Sequence, residues 1–337
     1  MSDLSTTYLG LELRCPLIAS ASPLTGSIDD LLVLDDAGIG AVVLPSLFEE
    51  EIESEASTLH LRLEHGTGSS PEVADYLAEL EFDHLGLDRH VQLVAEATSR
   101  LSVPVIPSIN GTTKGGWVSY ARDLVDAGAA AIELNPYQVA IRPDIDAATL
   151  EQDYLDLIAD VRSAVEVPLT VKLSPYFTSL ANFARRVTTV GADGLVLFNR
   201  FYQPDLDLDT RDVIPRLELS HAGDLRLALR WITILRSQLP STSLALTSGV
   251  HHGTDLAKGL MAGADAVMST SELLRQGPGR AATLIDELAS WMSEHEYASV
   301  SQLCSSVATH TSSDPAAFER AQYRQVLSSW TQQPRSH

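Results

Sequence analysis

Eight short runs of apolar residues recur along the chain, and a longer stretch with apolar residues at helical spacing follows most of them. The runs are continuous in polarity and do not alternate, which is typical of parallel strands that are buried on both faces. The sequence therefore predicts eight strands: Leu17–Ser20, Ala41–Leu44, Val103–Ile106, Ala131–Leu134, Leu169–Leu173, Gly194–Phe198, Ser243–Leu246 and Ala266–Met268.

The segments between these runs carry the signs of crossover helices. Ser27 is a candidate N-cap, and glycines at Gly128, Gly191 and Gly263 stand where helices should end, since glycine adopts a positive φ at little cost. The repeated unit of strand, helix, glycine and strand predicts a (β/α)₈ barrel, that is, a TIM barrel. A doubly wound open sheet is the alternative, and the strand count and the lack of an early Gly-x-Gly-x-x-Gly motif disfavour it.

Two long insertions interrupt this pattern. Residues 48–87 follow the second strand and residues 201–223 follow the sixth, so both are expected at the end of the barrel where catalysis takes place. Such segments often close over a ligand, although the first is equally compatible with a disordered surface insertion. We assign residues 1–295 to the barrel and residues 296–337 to a C-terminal extension with a short helix around Ala316–Leu327.

Charge and cysteine content narrow the function classes. The 337 residues contain 45 acidic and 23 basic side chains, a formal charge of −22, which disfavours binding to nucleic acid or to an anionic membrane surface. The two cysteines form neither a metal motif nor a disulfide framework, and the adjacent His251 and His252 lack a carboxylate at ligand spacing. The N-terminus lacks a signal-peptide pattern, and no apolar run is long enough to span a membrane. We expect a cytoplasmic protein without a bound metal.

Candidate chemistry is concentrated where the predicted strands end, because barrel enzymes place their active sites there. Ser248 and Gly249 follow the seventh strand, and Thr270 and Ser271 follow the eighth. Small residues with accessible backbone N–H groups in these two loops are typical of a phosphate site. Either loop alone is as easily explained by a simple turn, but the two together favour phosphate binding.

Lysine, arginine and amide side chains end other strands. Lys172 ends the fifth strand, and a buried lysine requires a nearby anion; beside a flavin, it would stabilise negative charge on the reduced ring. A lysine at the barrel rim whose amine reaches solvent is the alternative. Asn110, Asn135 and Asn199 suit a pyrimidine edge or a carboxylate, and Arg200 suits a substrate carboxylate or a surface ion pair.

These positions resemble the dihydroorotate dehydrogenase family, in its soluble branch. The strongest match is the run Val-Lys-Leu-Ser-Pro-Tyr-Phe at Val171–Phe177. Other similar segments are Cys15–Ala21, Glu133–Asn135, Ser248–Val250 and Leu274–Pro278. Four further segments resemble, more narrowly, a sub-group called dihydroorotate dehydrogenase-like proteins: Ser108–Gly111, Gly115–Trp117, Leu197–Asp205 and Ala317–Arg320.

The resemblance implies FMN as cofactor and oxidation of dihydroorotate to orotate, a step of pyrimidine biosynthesis, in which a base takes a proton and flavin N5 takes a hydride. It also implies a homodimer. Together with the strand ends, it predicts a flavin site of Ser20, Ala21, Ser46, Asn110, Asn135, Lys172, Ser248, Gly249, Thr270 and Ser271. The predicted substrate-binding residues are Asn135, Asn199 and Arg200, and the predicted catalytic residues are Lys172, Tyr137 and Asn199.

The chain departs from the family in the substrate half of the site. Gln138 stands where the family has its cysteine base, Ala140 replaces an asparagine, and Pro45 replaces a lysine. General-base catalysis contributes about 10²- to 10⁴-fold in rate, so dihydroorotate oxidation needs another base here. Tyr137 is a candidate, and so are two further tyrosines, Tyr176 and Tyr202.

Four functions remain open from the sequence. The first is an FMN oxidoreductase acting on dihydroorotate, and the second is one acting on another small ring compound. The third is an electron-transferring or non-catalytic flavoprotein that works with a redox partner. The chain has no iron–sulfur ligand motif, so a cluster would have to reside in another subunit. The fourth is a flavin-free aldolase barrel in which Lys172 forms a Schiff base.

Overall fold

Eight parallel strands form a closed barrel in the computed structural model, which describes residues 2–48, 85–111, 117–138, 140–200, 203–214, 218–304, 306 and 315–330. The barrel strands are β1 (Leu17–Ala19), β2 (Ala41–Phe48), β3 (Val105–Asn110), β4 (Ile132–Asn135), β5 (Leu169–Leu173), β6 (Gly194–Leu197), β7 (Ser243–Leu246) and β8 (Ala266–Ser269). Each strand pairs with its sequence neighbour, and β8 closes the barrel on β1. The predicted (β/α)₈ barrel is confirmed.

Helices alternate with the strands. Those described are α1 (Ile28–Asp36), α2 (Leu85–Arg100), α3 (Trp117–Asp126), α4 (Ala147–Ala164), α5 (Leu180–Thr189), α6 (Leu225–Gln238), α7 (Gly253–Met261), α8 (Ser271–Gln276), α9 (Arg280–Glu294), α10 (Val300–Cys304) and α11 (Pro315–Trp330). The Ser27 hydroxyl accepts the Asp30 backbone N–H, as expected of an N-cap. Gly128, Gly191 and Gly263 end their helices at φ of 103°, 118° and 108°, which confirms the predicted left-handed positions.

A short N-terminal hairpin, Thr6–Tyr8 paired with Leu11–Leu13, covers one end of the barrel. The Leu9 backbone N–H donates to the hydroxyl of Ser243, the first residue of β7, so the hairpin lies at the strands' N-terminal ends. Gly194, the first residue of β6, allows this close approach, because a Cβ there would lie 2.5 Å from Leu9 Cδ2. The opposite end, where the strands finish, therefore forms the mouth.

The pairing of β2 with β3 contains an irregularity close to the mouth. Val43 pairs with Ile106 and Ser46 with Ser108, so three steps along β2 match two steps along β3. Pro45 lies within this extra step and has no N–H to give to the ladder, which fits the position of a bulge.

The predicted insertions are described only in part. Residues 49–84 of the first lie outside the described residues, and α2 begins within its last residues, at Leu85. The second contains a small hairpin, Asp205–Leu206 paired with Val213–Ile214. In the C-terminal segment, helix α11 agrees with the predicted helix, and the boundary after residue 295 stays a prediction. Among the described helices, none combines the length and the apolar character needed to cross a membrane.

Candidate functional site

Two cavities lie side by side at the mouth of the barrel, and five residues line both of them: Ala21, Lys172, Asn199, Arg200 and Glu218. The larger cavity has a volume of about 650 Å³ and is bordered by the ends of β2 to β5 and the start of the second insertion. The smaller has a volume of about 220 Å³ and is bordered by the loops after β1, β6, β7 and β8. The volume of the larger cavity is typical of small-molecule and cofactor sites.

The structure brings all the predicted site residues together around these cavities. The larger cavity is lined by Ala21, Ser46, Asn110, Asn135, Tyr137, Lys172, Asn199 and Arg200. The smaller is lined by Ser20, Ala21, Lys172, Asn199, Arg200, Ser248, Gly249, Thr270 and Ser271. Residues that are up to 251 positions apart in sequence thus share one site, and the role of each stays a prediction.

A chain of polar side chains crosses the barrel beneath the larger cavity. Lys172 Nζ donates to Ser20 Oγ at 3.2 Å and lies 3.5 Å from Glu133 Oε1. Ser108 Oγ donates to the same carboxylate oxygen at 3.2 Å and lies 2.8 Å from Ser46 Oγ. The chain ties the ends of five strands together, and the lysine has the anion that its burial requires.

Amide side chains form the wall next to the lysine. Asn199 Nδ2 donates to Asn135 Oδ1 at 2.7 Å, and Asn110 and Asn135 are both buried. Arg200 is more exposed, and its Nη1 lies 3.9 Å from a carboxylate oxygen of Asp224, a loose ion pair at the cavity rim. Because that pair is long and partly solvated, it holds the guanidinium only weakly, and the side chain remains suited to a ligand anion.

The loops after β7 and β8 border the smaller cavity. Ser248 and Gly249 have φ of 79° and 72°, a left-handed turn that glycine adopts readily and serine rarely. Ser220, from the second insertion, bridges both loops: its Oγ accepts the Gly249 N–H at 3.2 Å and donates to Ser271 Oγ at 2.8 Å. The sequence carried no sign of Ser220, since the insertion has no regular hydrophobic period.

A buried ionic network holds the same two loops from behind. His251 Nδ1 lies 3.2 Å from Glu272 Oε2, and Arg280 Nε donates to Glu272 Oε1 at 2.9 Å. Arg280 also donates to Glu287 and to the His251 carbonyl. Although burial alone would raise the pKa of Glu272, its bonds to Arg280 and His251 hold the pKa below its usual value. The network fixes the β7 loop against α8, and no local sequence pattern indicates it.

The candidate bases occupy different places. Tyr137 is half-buried and lines the larger cavity. Tyr176 is 67% exposed and lines two other cavities, one of which also has Asn199 and Arg200 in its wall. Tyr202 lies outside the described residues. Gln138, at the family's cysteine position, lines a separate cavity of about 330 Å³, and its backbone carbonyl accepts a hydrogen bond from Tyr154 at 3.3 Å. Of the tyrosines that are described, Tyr137 is the one at the site.

Among the described residues, no group of three or more histidine, cysteine, aspartate or glutamate side chains is arranged as a metal site. His251 is engaged by Glu272, and the backbone N–H of His252 donates to Asp255 at the start of α7.

Comparison with known proteins agrees with this geometry. The sequence profile of the dihydroorotate dehydrogenase family matches residues 3–292. A relative from Endomicrobium trichonymphae, named dihydroorotate dehydrogenase B (NAD(+)), catalytic subunit, is 25% identical over 307 residues, covering 89% of this chain and 96% of the relative. Relatives of the same name from Thermoplasma acidophilum and Bacillus cereus are 23% and 25% identical and cover 90% of this chain each, and 98% and 96% of their own lengths.

The family match extends over the whole barrel, from the N-terminal hairpin into α9. It includes every residue that the strand ends and the sequence motifs placed at the mouth. The chain therefore belongs to the dihydroorotate dehydrogenase family.

Proposed function

We propose that the chain is an FMN-dependent oxidoreductase acting on a CH–CH bond of dihydroorotate or of a closely similar small ring compound. The observation that supports this most is the meeting of all the predicted flavin residues around two cavities with shared walls. The larger cavity presents a lysine side chain and amide groups, and the adjoining smaller cavity presents hydroxyl groups and backbone N–H groups. An elongated ligand with a polar ring at one end and a phosphate at the other requires this combination.

The residues present fit FMN. Lys172 would face the pyrimidine edge of the ring, with Asn110 and Asn135 beside it, while Ser20 and Ala21 cover its face. The donors that line the smaller cavity would hold the phosphate and the ribityl chain: Ser248, Gly249, Thr270 and Ser271. Ser46 lines the larger cavity, so it would lie beside the ring. When bound, FMN supplies a hydride acceptor at N5.

The chain's own residues orient the substrate and handle its proton. The Asn135–Asn199 pair presents amide groups to a planar ring, and Arg200 supplies a positive charge for a carboxylate. Lys172 stabilises negative charge that develops during the reaction. Tyr137, in its phenolate form, would accept the proton, because its side chain lines the cavity whereas Gln138 lines another.

Anaerobic mixing of the flavin-loaded protein with dihydroorotate tests the proposal. Loss of the flavin's visible absorbance within minutes, with orotate formed in equal amount, is the expected result. A protein that binds FMN but keeps its absorbance with dihydroorotate would redirect the proposal to another ring substrate, to be sought with a panel of reduced heterocycles. A protein that binds no FMN would refute it.

The acceptor of the electrons is a second part of the proposal. The relatives are named as catalytic subunits, which implies that they work with another subunit. We propose that this chain likewise passes electrons to a redox partner protein and is a cytoplasmic homodimer. Light scattering of the purified chain measures its oligomeric state. Slow reoxidation of the reduced protein by NAD⁺ alone, accelerated by a co-purified subunit, would support the partner.

A further inference from the structure

Glu133 is a carboxylate inside the barrel. Its side chain is fully buried on β4, where Oε1 accepts Ser108 and lies near Lys172. Its other oxygen, Oε2, is also buried and has no hydrogen-bond partner among the described residues. Burying a carboxylate costs several kcal/mol, and an unpartnered oxygen adds to that cost. A group held at such a cost calls for a reason beyond packing.

The position of Lys172 supplies the reason. Lys172 lines both cavities, and among the described residues of the larger cavity, Arg200 is the only other cation. Arg200 lies at the rim beside Asp224, whereas Lys172 is only 8% exposed. In a poorly solvated place, the field of the ammonium depends strongly on the nearest opposite charge. That charge is the carboxylate of Glu133, 3.5 Å from Nζ.

We infer that Glu133 is a positioning residue that sets the flavin's electron affinity by partly cancelling the charge of Lys172. The inference rests on the proposed FMN binding. Negative charge that appears at the N1–C2=O edge of a bound flavin would be stabilised by Lys172 and opposed by Glu133. The carboxylate also holds Nζ in place, so it limits the strength of the field and fixes its direction.

Sulfite is a probe of this field that needs no substrate. Its sulfur lone pair forms a bond to flavin N5, and the displaced electron pair leaves negative charge at the N1–C2=O edge, without any oxidant or reductant. The dissociation constant for sulfite, measured from the loss of visible absorbance, therefore reports on the positive field at that edge. The reduction potential of the bound flavin reports on the same quantity.

Glu133→Gln keeps the shape of the side chain and removes its charge. We expect the sulfite dissociation constant to fall about tenfold or more, equivalent to about 1.4 kcal/mol, and the reduction potential to rise. Glu133→Asp keeps the charge but draws it away from Nζ, so we expect a smaller fall in the sulfite dissociation constant. This variant replaces Glu133→Gln in the test if Glu133→Gln does not fold. Thr170→Val, which removes a buried hydroxyl beside Glu133 on the neighbouring strand β5, is the matched control and should change sulfite affinity less than twofold.

The outcomes separate the two proposals. FMN binding by all variants, with unchanged or weaker sulfite affinity in both Glu133 variants, overturns the inference and leaves the proposed function standing, because a merely structural carboxylate would give that result. Failure of the unsubstituted protein to bind FMN overturns both. Tighter sulfite binding in Glu133→Gln than in Glu133→Asp, with Thr170→Val unchanged, supports the inference.

Discussion

Substitution of Gly249 by alanine adds a single methyl group to the predicted phosphate-binding loop after β7. Gly249 has a φ of 72°, and a Cβ on it would lie 2.4 Å from the backbone nitrogen of Leu225 and 2.9 Å from the carbonyl oxygen of His221. Both neighbours are main-chain atoms, at the start of α6 and just before it, so neither can rotate away. The loop after β7 must therefore move.

The expected cost has two parts. A left-handed alanine costs about 1–2 kcal/mol relative to glycine, and forcing a methyl group into a packed region costs about 1–3 kcal/mol more. Gly10, in the turn of the N-terminal hairpin, offers a matched control, because its φ is 73° and nothing lies within 4 Å of an added Cβ. Gly10→Ala should show the first cost alone, so the difference between the two variants isolates the clash.

Thermal unfolding and FMN titration measure the two consequences. We expect Gly249→Ala to lose at least about 2 kcal/mol of stability and to bind FMN about tenfold or more weakly, since the Gly249 N–H is displaced. Gly10→Ala should lose about 1–2 kcal/mol and keep its FMN affinity. Equal FMN affinities in the two variants would refute the placement of the phosphate at this loop.

Three further predictions concern other parts of the molecule. Arg280→Gln leaves the buried carboxylate of Glu272 without its guanidinium, so we expect a loss of about 2–4 kcal/mol in chemical denaturation. Burial lowers the pKa of His90 to about 4 from its usual value of 6.5. As the pH falls from 6.5 to about 4, the unfolded chain therefore takes up a proton that the folded protein does not, and about 3 kcal/mol of stability is lost. His90→Leu should remove most of that loss, measured as unfolding free energies across this pH range; an unchanged pH profile would contradict the assignment. Tyr137→Phe should slow anaerobic flavin bleaching by about 10²-fold or more without weakening FMN binding, whereas Tyr176→Phe should leave the rate unchanged.

Much of the site could be predicted because the barrel itself determines it. Once eight strands are recognised, their last residues must meet at one end, so Asn110, Asn135 and Lys172 are brought together by topology. The phosphate loops follow for the same reason. A family motif around Lys172 then connects the geometry to a cofactor.

Other features depend on contacts that no local pattern carries. Glu133 was visible as a charge within a continuous apolar run, but its pairing with Lys172 requires knowledge of which strand side chains face inward at the same level. Ser220 and Arg280 reach the phosphate loops from an irregular insertion and from a later helix. The chain after β4 turns so that Gln138 lines a separate cavity, and alignment of the motif alone does not reveal that turn.

The proposed cofactor site depends above all on the loops after β7 and β8, which are expected to hold the phosphate of FMN. Parallel titrations of the flavin-free protein with FMN and with riboflavin test it most directly, because the two ligands differ only in the phosphate. We expect FMN to bind at least about 100-fold more tightly, a difference of about 2.7 kcal/mol, and Gly249→Ala to reduce this preference. Equal affinities for FMN and riboflavin would contradict it.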